Sequence, residues 1–292
     1  MTKRLRLIIS AITVAATILC GCTSFSGSKE ESDSYERVIA LSKSVSEMWL
    51  LAGGSLVGTT EDALDLDDMT EGVQSIGTVS KPNTETVVAL KPDVVMMTLD
   101  LPSHKKFKEE LEGLGIRVLT VDIGSFQDYD DAMRNFTSVT GRDDLYNKNV
   151  LEVKERIDAI LEEYNAGQRS YKTYLFLRVS ATKNKAMKKD YFGCEIIDSF
   201  GLTNIAYDNS SLDELSLEAI TAADPDYIFI IYQGKEKEAM SVLKEEFTSK
   251  EVWRKLSAVA DDQVYMLPKD LFQYKPNARW DEAYRYIYEN LR

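Results

Sequence analysis

Tyr146-Asn-Lys-Asn-Val150-Leu-Glu-Val153-Lys-Glu-Arg-Ile157-Asp-Ala-Ile160-Leu-Glu-Glu-Tyr164 is the stretch on which the architecture turns. Its apolar residues recur every three or four positions, with Lys, Glu, Arg and Asp between them, the spacing of one amphipathic helix. About 20 residues at 1.5 Å per residue give a rod roughly 30 Å long. Asn165-Ala-Gly-Gln-Arg ends it. On both sides the rhythm changes to short apolar, β-branched runs alternating with helical segments, the pattern of a mostly parallel α/β sheet.

Before the long helix, strands are expected at Arg37–Leu41, Leu56–Thr60, Val94–Thr98 and Ile116–Val121. Ser44-Val-Ser-Glu47 has the form of a capping box opening a short helix that Gly53-Gly54 closes. Asn83 and Ser103 open two further helices, and another runs from Phe126 to Val139. After the long helix come strands at Tyr174–Arg178, Asn204–Tyr207, Tyr227–Tyr232 and Gln263–Leu267. Helices are expected there at Tyr191–Phe200, Lys237–Phe247 and Ala278–Leu291. One signature occurs twice: Glu85-Thr-Val-Val-Ala89-Leu-Lys-Pro92-Asp93 and Glu218-Ala-Ile-Thr-Ala222-Ala-Asp-Pro225-Asp226. Each reads as a helix stopped before proline and followed by a strand. The expected fold is therefore α/β, two Rossmann-like lobes (36–145 and 169–292) joined by the helix at 146–168. A cleft between two such lobes is a preferred place for a ligand.

The front of the chain reads differently. Lys3, Arg4 and Arg6 precede an apolar run from Leu7 to Leu19, then Cys20-Gly21-Cys22. A positive segment, an apolar segment and a small residue before a cut describe a secretory signal, 1–21. The run falls short of the roughly 20 residues that span a bilayer core. Residues 22–35, rich in Ser, Gly, Lys and Glu, read as a flexible tether. The chain carries a net charge of −13. Loss of the three signal cations makes it more acidic, which argues against nucleic-acid binding. With Cys20 in the signal and Cys22 at the cut, Cys194 is the one thiol left to the fold. It sits in an apolar segment as a small core residue, and no intrachain disulfide framework is possible.

No residue nominates a reaction. Gly53 and Gly58 have phosphate-loop spacing, but Thr59-Thr60 stands where Lys-Ser/Thr is required. His104 is the single histidine, too few for a multi-His metal site. It reads as a surface residue in a helix's first turn or, alternatively, as a ligand facing the cleft. Asp62, Asp65, Asp67 and Asp68 read as a solvated loop. No enzyme activity, resident cofactor or protein metal site is expected.

Leu19-Cys-Gly-Cys22 resembles the bacterial lipobox, which implies diacylation of Cys22 and a lipid anchor at the extracytoplasmic face of the cell membrane. Two acyl chains suffice for a stable anchor. Arg37-Val-Ile-Ala-Leu-Ser42, Ile76-Gly-Thr-Val-Ser80, Glu85 to Val95 and Trp253 to Tyr265 resemble, in order, the iron-complex/cobalamin substrate-binding proteins of ABC importers. The resemblance covers nearly all of 36–292. It implies capture of a small-molecule metal chelate, a ferric siderophore-type complex in the leading reading, and its delivery to a permease and its ATPase. Haem, cobalamin, and a non-transporting sensory or adhesion role are the alternatives. Family docking positions fall on Glu85 and Glu218, which are also first-turn acids favoured by the helix dipole. Ligand contacts are expected from strand-end loops: Ser44 with Trp49, Val79 and Ser80, Thr98 and Leu99, Arg178 with the 183–191 loop and its Tyr191, Tyr232 and Gln233, Phe272 and Tyr274. Arg178 suits a carboxylate or iron-bound oxygen, or an inter-lobe salt bridge. Trp253 is expected to pack under the second lobe, outside the site.

Overall fold

The computed structural model describes residues 35–291 apart from 168–169, 183, 209–211 and 213–215. The signal segment, Cys22 and nearly all of the tether lie outside the described residues. The first lobe is built on β1 (Val38–Ala40), β2 (Leu56–Thr59), β3 (Gln74–Ser75), β6 (Val94–Met97) and β7 (Val118–Thr120), all parallel, in the order β3-β2-β1-β6-β7. A small antiparallel hairpin, β4 (Gly77–Thr78) and β5 (Lys81–Pro82), stands beside it. The second lobe has β10 (Thr203–Asn204), β8 (Thr173–Ser180), β11 (Tyr227–Gln233) and β12 (Val264–Met266), again parallel and in that order. A short strand, β9 (Lys185–Ala186), runs antiparallel along the end of β8. The expected strand at Asn204–Tyr207 is thus reduced to Thr203–Asn204.

Helices connect the strands. In the first lobe they are α1 (Lys43–Leu51), α2 (Thr84–Ala89), α3 (Pro102–Gly113) and α4 (Phe126–Thr140). The second lobe carries α7 (Phe192–Asp198), α8 (Leu217–Ala223), α9 (Glu236–Leu243), α10 (Ser257–Ala260), α11 (Lys269–Phe272) and α12 (Trp280–Asn290). Between the lobes run α5 (Asp143–Tyr146), a π-helical turn at Asn147–Leu151 and α6 (Glu152–Asn165). The expected single α-helix is therefore helical throughout but opens by a π turn near its start. There the Asn149 side chain donates to the Leu51 carbonyl at 2.8 Å, and the Asn149 carbonyl accepts the Tyr129 hydroxyl at 3.1 Å. Both tie the wide turn to the first lobe.

Two helix starts differ from expectation. Ser42, not Ser44, caps α1, its hydroxyl accepting the Val45 N–H at 3.3 Å. Glu47 turns to the 277 loop instead of closing a capping box. Leu101 precedes α3, and Pro102 takes its first position, where the missing N–H costs nothing.

The two-residue period of the strands sorts their side chains into cores. Val38, Ala40, Val94 and Met96 face inward, and so do Tyr174, Phe176, Phe229 and Ile231 of the other sheet. Together with α4, α6, α7 and α12 they form one continuous apolar core. The alternate residues, such as Ile39 and Val95 or Leu175 and Ile228, fill separate outer cores on each sheet. Trp280 joins the lobes within the shared core, its ring 5.8 Å from Phe126 and 5.8 Å from Phe192, centroid to centroid. Lobes sharing a core this way cannot separate without exposing it, so large hinge motion is opposed by the hydrophobic effect. Cys194 is buried, and Trp253 packs against Phe247 in the second lobe's outer core.

The repeated signature is a structural cassette. Asn83 caps α2 and Ser216 caps α8, each placing a glutamate two residues on. The helices stop, and Lys91 (φ 46°) and Asp224 (φ 40°) turn left-handed before the prolines. Asp93 then accepts the N–H groups of Glu36 at 2.9 Å and Arg37 at 2.8 Å, at the foot of β1. Asp226 does the same for β8, accepting the Thr173 N–H at 2.8 Å and its hydroxyl at 3.0 Å. Each aspartate starts its own strand and clamps the neighbouring one.

One buried carboxyl in this frame gives a pH test. Glu195 of α7 faces α12, and burial raises its pKa to about 7, against the hydrogen bond from Tyr284, with Asp198 and Asp128 adding repulsion. The folded protein thus keeps a proton that the unfolded chain loses near pH 4.3. Stability from this group is full below that value, falls as pH rises towards 7, and is absent above. Glu195→Gln is expected to gain on the order of 2 kcal/mol at pH 8, or about 4–8 °C in Tm, and nothing at pH 4.5. Thermal melts at the two pH values check this, and equal shifts at both would refute it.

Candidate functional site

The carboxyl ends of the parallel strands in both sheets face a common cleft, as the rule for open α/β sheets requires. It encloses a cavity of about 290 Å³, at the small end of the range for ligand pockets. From the first lobe, Ser42 and Ser44 follow β1, Thr98 and Asp100 follow β6, and Val121 and Ile123 follow β7. From the second, Arg178 comes from β8, Lys185 and Met187 from β9 and its exit, and Gln233 from the end of β11. Tyr191 and Phe192 at the start of α7, with Gln273 and Lys275 after α11, complete the wall.

Local chemistry fixes these loops. After β6, Asp122 accepts the Thr98 hydroxyl at 3.0 Å and the Leu99 N–H at 2.6 Å. His104 is fully buried beneath this loop, its ring nitrogens each 2.8 Å from a carbonyl oxygen, of Thr98 and Val79. It is therefore neither a surface residue nor part of the cavity lining: its ring packs between the 77–82 hairpin and the end of β6, each nitrogen facing a carbonyl oxygen. On the opposite side, the Tyr191 hydroxyl donates to the Phe272 carbonyl, and burial raises its pKa strongly.

Charge is the distinctive feature. Arg178, Lys185 and Lys275 line the cavity against Asp100 and Asp190, a local positive excess in a chain of net charge −13. Arg178 and Lys185 stand directly opposite each other in the β8–β9 ladder. Cross-strand partners share a face, and like charges there repel. An anion placed between them relieves that repulsion, and carboxylate oxygens suit the guanidinium fork. Among the described residues no group of three or more His, Cys, Asp or Glu side chains is placed to hold a metal ion.

The cavity thus gathers Ser44, Thr98, Arg178, Tyr191 and Gln233 from the residues expected in the site. The others lie elsewhere. Trp49 is 1% exposed in the core, its indole N–H donating to the Ser55 carbonyl at 2.9 Å. Phe272 is fully buried behind the wall and offers the cavity's edge only its carbonyl, to Tyr191. Val79 and Ser80 belong to the β4–β5 hairpin, Leu99 points its N–H at Asp122, and Tyr232 lies by Lys269. None of these four lines the cavity. Tyr274 opens on a neighbouring cavity of about 390 Å³, lined also by Lys43, Glu47, Asp65, Asp270 and Arg279. Lys185 was not singled out within the expected 183–191 loop, and Lys275 was not expected at the site. A period-2 reading of Lys185-Ala-Met187 beside Arg178 could have found the first; nothing local marks the second.

Glu85 and Glu218 are exposed at the starts of α2 and α8. Neither lines the cleft cavity, and Glu85 shares a surface hollow with Glu110, Gly113 and Leu114 at the end of α3.

Comparison with known proteins agrees with this architecture. The chain is 25% identical over 301 residues to the Fe(3+)-citrate-binding protein YfmC of Bacillus subtilis, covering 92% of this chain and 91% of that one. It is 24% identical to the high-affinity heme uptake system protein IsdE of Staphylococcus aureus, with 96% of each covered. The crystal structure of an ABC transporter substrate-binding protein from Listeria monocytogenes superposes with a TM-score of 0.74 at 22% identity, covering 87% of this chain and 98% of that one. The family model for periplasmic binding proteins matches residues 38–271, and with two parallel α/β lobes about one cleft the chain belongs to the periplasmic binding protein family.

Proposed function

We propose that the chain is the substrate-binding lipoprotein of an ABC importer, held by lipid on Cys22 at the extracytoplasmic face and capturing an anionic ferric siderophore-type chelate for its permease. The observation that carries this reading is the Arg178–Lys185 pair, opposed across two strands and facing a compact cleft. Two adjacent cations, with no carboxylate bridging them among the described residues, fit a chelate whose carboxylate or other oxygen ligands carry negative charge. The ferric-citrate relative supports the same class. Haem draws less support from the site. Haem would need Tyr191, Tyr232, Tyr274 or His104 as an axial ligand, yet Tyr191 is hydrogen-bonded into the wall, His104 is buried between two carbonyls, and Tyr232 and Tyr274 lie outside the cavity.

Titration of the full-length protein in mild detergent with ferric citrate, a ferric hydroxamate, haem and cobalamin tests this. Trp280, in ring contact with the cavity residue Phe192, makes tryptophan fluorescence a reporter. Saturable quenching by ferric citrate at sub-micromolar concentration is the expected outcome. A shifted haem absorption band, or binding of cobalamin alone, would replace the ferric-chelate reading with that ligand.

A further inference from the structure

Lys275 is placed unlike the other two cations of the cleft. It sits in the strap after α11, and its backbone N–H donates to the Ser44 hydroxyl at 3.1 Å, across to the first lobe. Asn277 extends the same bridge, donating to the Ser44 carbonyl at 3.1 Å and to Glu47 at 2.7 Å. The Lys275 side chain is only 17% exposed. Its ammonium donates to the Ile123 carbonyl, lies 4.7 Å above the Phe192 ring and reaches Asp100 at 3.4 Å. It lines both cavities, so it forms part of the wall between them.

An ammonium has three N–H donors. Here one goes to a carbonyl, one to a carboxylate at long range, and a ring face is a weak substitute for water. Burial disfavours this charge and lowers the lysine's pKa, with Asp100, Asp122 and Asp128 opposing the shift. A cation held in such surroundings gains more from an incoming anion than a solvated surface lysine does.

Resting on the ferric-chelate reading above, we infer that Lys275 is a specificity-determining residue of the cleft: its ammonium turns from Asp100 and the Ile123 carbonyl to an anionic chelate and discriminates against neutral ones. Because the same residue joins the lobes through its backbone, occupancy is felt at α1 of the first lobe as well as in the second. Asp100, 3.4 Å from the ammonium, is the carboxylate with which the ligand's own would compete.

The test compares ferric citrate, an anionic carboxylate complex, with ferrichrome, a neutral hydroxamate complex, on wild type, Lys275→Met, Lys275→Arg and Asp100→Asn. Lys275→Met keeps the backbone bridge to Ser44 and is expected to weaken ferric citrate binding about tenfold or more. Lys275→Arg should stay within about threefold of wild type. Asp100→Asn, which removes the competitor, should tighten ferric citrate. If Lys275→Met and Lys275→Arg lose affinity equally, or neither does, the lysine acts by packing or not at all and the inference falls. Wild type binding ferrichrome but not ferric citrate overturns the inference and leaves iron import standing. Wild type binding neither overturns both.

Discussion

Alanine at both Glu85 and Glu218 is expected to cut chelate import about a hundredfold at limiting ligand, as removal of two buried interface charges would, with the purified protein's affinity unchanged. The two carboxylates occupy the same place in a repeated cassette. Each sits two residues after a helix cap, Asn83 or Ser216, and each is exposed. They lie outside the cavity, so their loss leaves the ligand's contacts intact. A permease that presents arginines to both lobes would meet one carboxylate on each, and planar bidentate pairing would make both count. If the glutamates serve only their helices, each substitution instead costs about 0.3–1 kcal/mol of stability through the lost dipole interaction. Uptake of radiolabelled ferric citrate by cells carrying the variant, alongside a thermal melt of the protein, separates the two. Normal uptake with a lowered Tm would refute docking.

The division into two lobes was legible because it rests on periodicity. Val150, Val153, Ile157, Ile160 and Tyr164 do line the core side of the helical connection. The runs at 38–41, 94–97, 174–179 and 228–231 alternate between two cores as strands must. Both Pro-Asp cassettes were visible as strings, but the clamp that each aspartate applies to the neighbouring strand is a long-range contact and left no local mark. Helix starts were less legible for a different reason. Ser42, Ser44 and Ser46 are alike in composition, and only the backbone angles decide that Ser42 caps α1.

Within the site, position along the chain identified the right loops but not the right side chains. Trp49 was expected at the ligand as a flat aromatic beside the loop after β1, but it turns into the core, whereas Ser44 and Met48 face the cavity. Phe272 and Tyr274 flank a short helix end, so one is buried and the other opens on the neighbouring cavity. Lys275 is the clearest case. A lysine after an aromatic residue in a loop reads as solvated, and its burial depends on Ser44, Asp100 and Ile123, all more than 150 residues away in sequence. Charge at a site built between lobes is a tertiary property, and composition reported only the acidic average.

Replacing Gly54 by alanine is expected to destabilise the protein by about 3 kcal/mol and lower Tm by roughly 6–12 °C. A Cβ added at this residue would stand 2.1 Å from the Trp49 ring, far inside contact distance. The indole has nowhere easy to go. Phe136 meets it edge-on with centroids 5.4 Å apart, and its N–H is committed to the Ser55 carbonyl at 2.9 Å. Moving it gives up both contacts in a core that packs to crystal density. The effect reaches the site, because Trp49 lies on α1 with Ser44 and Met48. A displaced helix would misplace Ser44 against the Lys275 N–H, so ferric citrate affinity should fall as well. Steric overlap, unlike a backbone preference, predicts rescue from the other side of the contact. With Trp49→Ala, which removes the whole indole that the methyl strikes, the added methyl should cost well under its value in the wild-type background, a coupling readable in a double-mutant cycle. Additive losses in that cycle would show that the cost arises elsewhere than at the indole.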